Sequence, residues 1–119
     1  MVEPVPNRNN IATATILSGA SLSDAVPLMG RNITGILVPS SWTAADITMS
    51  VSLDGSVYAD LYDSAGEVVL TAAASVFIGL NIAQIMGFNY VKLRSGTSGT
   101  PVNQGADRSI LLALGDFTR

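Results

Sequence analysis

The acidic residues between positions 54 and 67 come nearest to the spacing of a chemical site. They are three aspartates and a glutamate with a serine among them: Asp54, Asp60, Asp63, Ser64 and Glu67. A calcium-binding loop needs oxygen ligands at alternate positions and a late glutamate, which this spacing does not match. Glycoside hydrolysis needs two carboxyl groups facing each other across a cleft, and nothing in the sequence selects such a pair. Carboxylates in solvated turns are the simpler interpretation.

The second candidate is the loop Ser95–Arg108, with the sequence SGTSGTPVNQGADR. A phosphate-binding P-loop needs two glycines five residues apart, followed by Lys and then Ser or Thr. Here Gly96 is followed five residues later by Pro101, and Gly99 by Gln104. The dinucleotide fingerprint fails as well, because the chain contains no G-x-G. The uncharged polar residues of this loop indicate a contact surface instead.

Nucleophilic and metal chemistry lack the residue types that they need. The chain contains no histidine and no cysteine. This removes the usual general base, the His-dependent triads, thiolate metal ligands and disulfides. Serine and threonine are plentiful, but no residue is suitably placed to activate them. The sequence therefore predicts a protein that is not an enzyme and that holds neither a metal ion nor a cofactor.

Two predicted strands alternate aromatic and charged side chains on one face. These residues are Tyr58, Asp60 and Tyr62 on one strand and Tyr90, Lys92 and Arg94 on the other. Aromatic stacking with polar groups nearby suits a bound sugar, and protein interfaces are enriched in tyrosine and arginine. Ordinary cross-strand pairs on a solvated sheet use the same residue types. All three interpretations stay open on sequence alone.

Composition restricts the class of partner. The 119 residues suffice for one domain with a sizeable core. Charged residues make up 13% of the chain, about half of the usual share of roughly 25%. Such a surface suits packing in an assembly or a very stable small β domain. The net charge of −3 and the scattered basic residues predict no nucleic-acid partner. The uncharged stretch 68–91 is too polar to predict a membrane span.

Hydrophobic alternation predicts an all-β protein. Short runs rich in β-branched residues recur at the spacing of roughly 8–12 residues that is typical of sandwiches and barrels. We interpret the chain as a single-domain, jelly-roll-like β-sandwich of about eight short antiparallel strands. At most one short helical turn is expected, at Ile82–Met86. Pro27 predicts that the strand 21–28 lies at a sheet edge or that its pairing ends there. The last strand, Ile110–Leu114, is apolar throughout, which predicts burial on both faces.

The clearest strand is Ile47–Leu53, and the Asp-Gly pair after it predicts a hairpin. A two-residue loop would set Met49 opposite Asp60, with an acid among apolar residues. A three-residue loop, Leu53–Gly55, sets Met49 opposite Ala59 and keeps the apolar residues together. We therefore predict the odd-length loop with a bulge. The serine and threonine side chains of the strand then lie on a solvated face.

Residues 1–10 are predicted to form an extended N-terminal arm, and residues 11–119 the sandwich domain. Pro4 and Pro6 disfavour helix and sheet pairing. The arm is then either a frayed terminus or a segment that contacts a neighbouring subunit. The only tryptophan, Trp42, is expected to plug the end of the core, with a partner-facing hot spot as the alternative.

Three runs within residues 16–114 carry a resemblance: the Trp-Thr-Ala-Ala turn at 42–45, the Ser-Leu-Asp-Gly turn at 52–55, and LRSGTSGTPVNQ at 93–104. Together they resemble small virion structural proteins of tailed bacteriophages, of the head-decoration or cement type. The resemblance implies a β-sandwich that binds the outside of the capsid lattice, commonly as a trimer, and clamps adjacent capsid subunits. A weaker similarity to galactose-binding jelly rolls implies a carbohydrate-binding module as the alternative, and a head–tail or tail accessory protein is another.

The sequence and the resemblance lead to one expectation. The chain is expected to be a non-enzymatic virion protein on the outer capsid surface, with the major capsid protein as its partner and a homotrimer as its assembly. No nucleic acid and no membrane take part. The residues expected to contact a partner or subunit are Pro4, Pro6, Trp42, Tyr58, Tyr62, Tyr90, Arg94, Thr97, Thr100, Asn103 and Gln104.

Overall fold

The computed structural model describes residues 10–81 and 85–115. In this part of the chain all regular elements are β-strands. Their bounds are β1 Ile11–Ile16, β2 Val26–Pro27, β3 Asn32–Leu37, β4 Ile47–Ser52, β5 Tyr58–Asp60, β6 Tyr62–Asp63, β7 Gly66–Glu67, β8 Phe77–Gly79, β9 Tyr90–Ser95 and β10 Arg108–Gly115. The helical turn predicted at 82–86 falls mainly outside the described residues.

Eight of the strands form two four-stranded antiparallel sheets. Sheet A has the order β1-β10-β3-β8, and sheet B has the order β2-β9-β4-β5. Strands β6 and β7 form a separate hairpin. The prediction of an all-β, sandwich-like fold built from antiparallel sheets is confirmed.

The core lies between the two sheets and is built from alternate strand positions. Sheet A contributes Ile16, Ile33, Ile36, Ile110 and Leu112, and sheet B contributes Ile47, Met49, Val91 and Leu93, all of them fully buried. Alternation sends these side chains inward and their neighbours outward. Ile33 and Ile36, three positions apart, both face the core because the register between β3 and β10 shifts between them. Burying each such aliphatic side chain stabilises the fold by about 1.5–3 kcal/mol relative to leaving it exposed.

The hairpin between β4 and β5 has a longer loop than predicted. Ser52 lies opposite Tyr58 and Val51 opposite Ala59, so the loop has five residues, 53–57, and the three-residue loop is wrong. Asp54 explains the extra length, because its carboxylate accepts the backbone N–H groups of residues 56 and 57 at 2.8 and 3.0 Å. The register differs from the predicted one by two residues. An even shift returns every side chain to the same face, so the predicted facing is kept.

The outward face of β4 was predicted to be solvated, and this is wrong. Thr48, Ser50 and Ser52 are buried. Longer side chains of the neighbouring strands lie beside them in register, with Lys92 opposite Ser50 and Arg94 opposite Thr48. Longer side chains on both neighbouring strands can cover small residues on a central strand in this way.

The predicted strand 21–28 follows β9 but forms a regular ladder only at Val26–Pro27. The Leu93 N–H donates to the Ser23 hydroxyl, and the Ser23 N–H donates to the Leu93 carbonyl. A side-chain oxygen therefore takes the place of a carbonyl where the ladder is interrupted. Strand β2 is the first strand of sheet B, at its edge, as Pro27 predicted.

Strand β10 was predicted to be buried on both faces, and over the described residues this is wrong. Ile110, Leu112 and Leu114 point into the core, but Leu111 is 37% exposed on the outer face of sheet A. The described part of the chain places no layer over that face.

Candidate functional site

The segment 96–103, which we name the contact loop, folds as a miniature hairpin. Gly96 and Pro101 form an isolated antiparallel bridge. The Thr97 N–H donates to the Thr100 carbonyl and the Thr100 N–H donates back to the Thr97 carbonyl, both at 3.2 Å. Residues 98–99 therefore form a two-residue tip. The backbone of Gly96 has φ of 90°, and a Cβ added there would lie 2.5 Å from the Thr100 carbonyl oxygen, so only glycine fits this closely packed turn.

The base of the contact loop is tied to sheet B. The Gly96 N–H donates to the Asp46 carbonyl at 2.6 Å, and the Thr48 hydroxyl donates to the Gly96 carbonyl at 2.8 Å. On the other arm, the Val102 N–H donates to the Ser95 carbonyl at 2.8 Å. Both arms of the loop therefore leave from fixed positions on the sandwich.

Gln104 anchors the C-terminal end of the loop. Its amide oxygen accepts the Thr43 N–H at 2.8 Å and the Arg108 Nε–H at 3.0 Å. Its amide nitrogen donates to the Thr43 carbonyl at 3.0 Å and to the Ser95 hydroxyl at 2.7 Å. The main-chain N–H of Gln104 donates to the Ala20 carbonyl at 2.9 Å. The side chain and main chain of Gln104 together thus join the segments at residues 20, 43 and 95.

The tip of the contact loop is held from the side by charged residues. The Ser98 N–H donates to the Glu67 carboxylate at 3.1 Å. Arg94 pairs with the same carboxylate at 3.5 Å and with Asp60 at 2.6 Å, and it also donates to the Thr48 hydroxyl at 3.2 Å. The side chains of Arg94 and Glu67 are only 13% and 14% exposed. Their charges are therefore used within the chain, and they fix the position of the tip.

The surface that the contact loop presents is uncharged. The exposed residues are Ser98, Gly99, Thr100, Pro101 and Asn103, and Thr97 is half-buried. Hydroxyl, amide and main-chain groups of this kind can hydrogen-bond to a partner without desolvating a charge, which is the costly step in polar contacts. Because the backbone is already fixed, binding would order few additional groups.

The tyrosines of sheet B lie near the far end of the same face. Tyr58 and Tyr90 both lie opposite Ser52 in the register. The Lys92 ammonium lies 4.4 Å from the centre of the Tyr58 ring, a cation–π contact. A Cβ added at Gly55 would lie 3.1 Å from the Tyr90 ring, so that loop packs against the ring. Contacts within the chain therefore occupy part of each ring, which weakens the case for sugar stacking here.

Tyr62 and Trp42 lie elsewhere. Tyr62 is 60% exposed and lies opposite Glu67 in the hairpin β6–β7, which brings it to the side of the contact loop. Trp42 is partly buried against the core, and its indole N–H donates to the Ala45 carbonyl at 3.0 Å. That position fits the expected plug over the end of the core.

Some of the residues expected to contact a partner lie together at the surface, and one of them is buried. Thr97, Thr100 and Asn103 lie in the contact loop, beside Arg94. Gln104 is 1% exposed, so its amide is a structural anchor and not an exposed contact group. Pro4 and Pro6 lie outside the described residues. Sequence reasoning missed the parts played by Thr43, Asp60 and Glu67, because their contacts join residues distant in sequence.

The described residues contain no group of three or more potential metal ligands. In residues 10–81 and 85–115 there is also no helix long and apolar enough to cross a membrane. Comparison with protein-family models finds no family that matches this chain, and comparison with curated proteins finds no matching sequence.

Proposed function

We propose that this chain is a non-enzymatic virion structural protein of a tailed bacteriophage, a capsid decoration or cement protein. It binds the outer surface of the major capsid protein lattice through a buried interface and acts without chemistry. The contact loop is the observation that supports this best. It is exposed, uncharged and fixed on both sides before any partner arrives. Loops of this kind lose little conformational entropy on binding.

We further propose that the sandwich is a jelly roll. A jelly roll arranges eight strands in two packed sheets through two Greek keys. The strand orders β1-β10-β3-β8 and β2-β9-β4-β5 support this, if β6 and β7 are taken as an inserted hairpin. Jelly rolls are frequent in viral capsid and lectin domains. The fold alone does not determine the function, so the proposal rests on the contact loop and on the resemblance.

A homotrimer is part of the proposal, because it would present three contact loops to the lattice at once. Linked binding sites raise overall affinity by on the order of 10²–10⁴-fold without any new contact. A weak interface per copy is then enough to clamp adjacent capsid subunits. The mass of the purified protein in solution, measured by light scattering over a concentration series, tests the assembly.

The binding test uses capsid particles that lack this protein. The unmodified chain is expected to sediment with the particles and to saturate them. Thr100→Arg adds a long charged side chain to the contact loop and should weaken binding at least about tenfold, which corresponds to 1.4 kcal/mol. Ser56→Arg is the matched control, because it adds the same charge to an exposed position in the loop between β4 and β5. Its binding should equal that of the unmodified chain.

Two outcomes would contradict the proposal. Absence of the chain from purified virions, checked by imaging and by mass spectrometry of the particles, would exclude a decoration protein. Equal binding by Thr100→Arg and Ser56→Arg would leave a virion protein possible in another position, but it would remove the contact loop from the interface.

A further inference from the structure

The loop between β4 and β5 contains the only place in the sequence where a glycine follows an aspartate or an asparagine, Asp54–Gly55. In such a pair the main-chain nitrogen of the glycine can attack the side-chain carboxyl carbon of the residue before it. Glycine has no Cβ, so nothing on its own side chain hinders that approach. Asp54 is exposed, so water reaches the reacting groups. The pair therefore has the residue types that aspartate isomerisation needs.

This isomerisation needs no cofactor and no reactant other than water. The Gly55 nitrogen forms a bond to Cγ of Asp54, and the bond from Cγ to the carboxyl hydroxyl breaks. The hydroxyl leaves as water with the proton that the nitrogen gives up, and a cyclic succinimide remains. Water then opens the ring at either carbonyl carbon. One opening restores aspartate, and the other yields isoaspartate, in which the main chain runs through Cβ.

The attacking nitrogen already has a hydrogen-bond partner in the folded loop. The Gly55 N–H donates to the Ser52 hydroxyl oxygen at 2.8 Å, and the Asp54 N–H donates to the same oxygen at 3.3 Å. Ser52 is buried at the end of β4, which fixes the position of this oxygen. The nitrogen must give up its proton to attack Cγ, so the reaction breaks the hydrogen bond to Ser52 and loses its contribution.

The carboxyl group of Asp54 is held in its ionised form. Its Oδ1 accepts the N–H groups of Val57 at 3.0 Å and Ser56 at 2.8 Å, and the Ser52 hydroxyl donates to it at 3.1 Å. These donors hold the pKa of Asp54 below its usual range. The hydroxyl can leave as water only from the neutral carboxyl group. The hydrogen bonds of the loop therefore reduce the population of the reactive form.

The turn itself requires glycine at position 55. Gly55 has φ of 85°, a backbone conformation that favours glycine, and a Cβ added there would lie 3.1 Å from the Tyr90 ring. A bulkier residue, which would slow the attack on Asp54, is therefore disfavoured by the fold. Protection of this pair has to come from the hydrogen bonds around it.

We propose that Asp54–Gly55 is the site of aspartate isomerisation in this chain, and that the Ser52 hydroxyl keeps the site intact in the folded protein. This one hydroxyl holds both reacting groups, because it accepts the N–H of the nucleophile and donates to the carboxylate. Isomerisation then requires the loop to open locally or the chain to unfold. Isoaspartate would lengthen the main chain of a loop whose ends are fixed by the pairing of Ser52 with Tyr58.

The test follows isoaspartate over several weeks at neutral pH, in native buffer and in guanidinium chloride. Peptide mapping by mass spectrometry with electron-based fragmentation quantifies it at each aspartate. Ser52→Ala removes the hydroxyl, and Ser52→Thr keeps it. Ser50→Ala is the matched control, because it removes a buried hydroxyl from the same face of β4. Asp63–Ser64 is an internal reference in another turn, and melting temperatures verify the folding of each variant.

In native buffer the unmodified chain should form isoaspartate at Asp54 at least about tenfold more slowly than in guanidinium chloride, because the reaction waits for opening of the loop. In guanidinium chloride Asp54 should react faster than Asp63, since only Asp54 precedes a glycine. Ser52→Ala should raise the native rate about fivefold, which corresponds to one hydrogen bond. Ser52→Thr and Ser50→Ala should keep the slow rate.

Three outcomes would overturn the proposal. Equal rates at Asp54 in native buffer and in guanidinium chloride would show that the fold gives no protection. A reaction at Asp63 as fast as that at Asp54 in guanidinium chloride would remove the preference for the Asp-Gly pair. Equal native rates for Ser52→Ala and Ser50→Ala would show that the Ser52 hydroxyl has no specific part in the protection.

Discussion

The outer faces of the two sheets differ in how their outward-facing side chains are covered. On sheet B the central strand carries small Ser and Thr side chains, and the longer side chains of its neighbours close over them. On sheet A the outward row is apolar, and the described chain leaves it exposed. The outward side chains of the central sheet B strand are therefore covered by their neighbours, whereas those of sheet A are exposed in the described residues.

The difference lies in the type of contact. The sheet B face is held by directional polar contacts, such as the pair between Arg94 and Asp60 at 2.6 Å, and these depend on geometry and on salt. The sheet A face offers burial of apolar area, which has no direction and tolerates several occupants. The directional polar contacts on sheet B fit one arrangement of side chains. The apolar side chains on sheet A would be stabilised by any segment that buries them.

The largest expected effect tests the anchor at the contact-loop end of sheet B. Gln104→Ala should lower the free energy of unfolding by about 2–4 kcal/mol, because it leaves buried groups of Thr43 and Ser95 without their partner. Urea unfolding measures the change. Asn103→Ala, one residue away and exposed, should cost less than about 0.5 kcal/mol. Equal costs for the two variants would show that the polar anchor does not hold this end of the molecule.

The next effect tests how tightly the contact loop is built. Gly96→Ala should lower the free energy of unfolding by about 2–3 kcal/mol, because the added Cβ would meet backbone atoms in a left-handed turn. Gly19→Ala is the control, because Gly19 has φ of 82° with open space around its Cβ position, and it should cost about 1 kcal/mol. Thermal unfolding of both variants checks this. A Gly96 variant no worse than the Gly19 variant would mean that the loop relaxes freely.

A moderate effect tests the charge network of the sheet B face. Arg94→Met should lower the free energy of unfolding by about 1–2 kcal/mol. The expected loss is moderate because Asp60 is partly exposed and solvent weakens its pair with Arg94. The loss should shrink in high salt, because salt already weakens the exposed part of the network. Urea unfolding at low and high salt gives both numbers. A loss that does not depend on salt would indicate that the aliphatic stem of Arg94, and not its charge, stabilises this face.

A smaller effect tests the sheet A face. Leu111→Thr should lower the free energy of unfolding by less than about 1 kcal/mol, because Leu111 is 37% exposed on the outer face of sheet A. Leu112→Thr, at the next position of the same strand and fully buried, should lower it by more than about 1.5 kcal/mol. Urea unfolding of both variants measures the difference, and equal losses would contradict the outward placement of Leu111.

The smallest effect concerns the loop between β4 and β5. The N–H groups of Val57 and Ser56 and the Ser52 hydroxyl hold the pKa of Asp54 below its usual range. A lowered pKa means that this contribution to stability is complete above the ordinary aspartate pKa of about 3.9 and is lost as the pH falls below it. Asp54→Asn should therefore flatten the acid limb of stability against pH. The free energy of unfolding of both proteins is measured from pH 2 to pH 6. The same dependence on pH for Asp54→Asn and the unmodified chain would contradict this prediction.

Local sequence patterns predicted most strands, their inward faces and the all-β class of the fold. Alternation of apolar and polar residues is a local property, so Ile47–Ser52 and Tyr90–Ser95 could be placed with the correct side chains in the core. The prediction that the chain is not an enzyme rests on the missing histidine and cysteine and on the failed phosphate motifs. Even the wrong loop length kept the right face, because the error was two residues.

Which polar side chains are buried anchors and which lie at the surface depends on contacts between residues distant in sequence. Gln104 and Thr43 are 61 residues apart, and nothing near either residue in sequence shows that they meet. The contact between Glu67 and the tip of the contact loop is of the same kind. Whether an outward row is closed over, as on sheet B, or exposed in the described residues, as on sheet A, depends on the lengths of neighbouring side chains in register. That register exists only once the strands have paired.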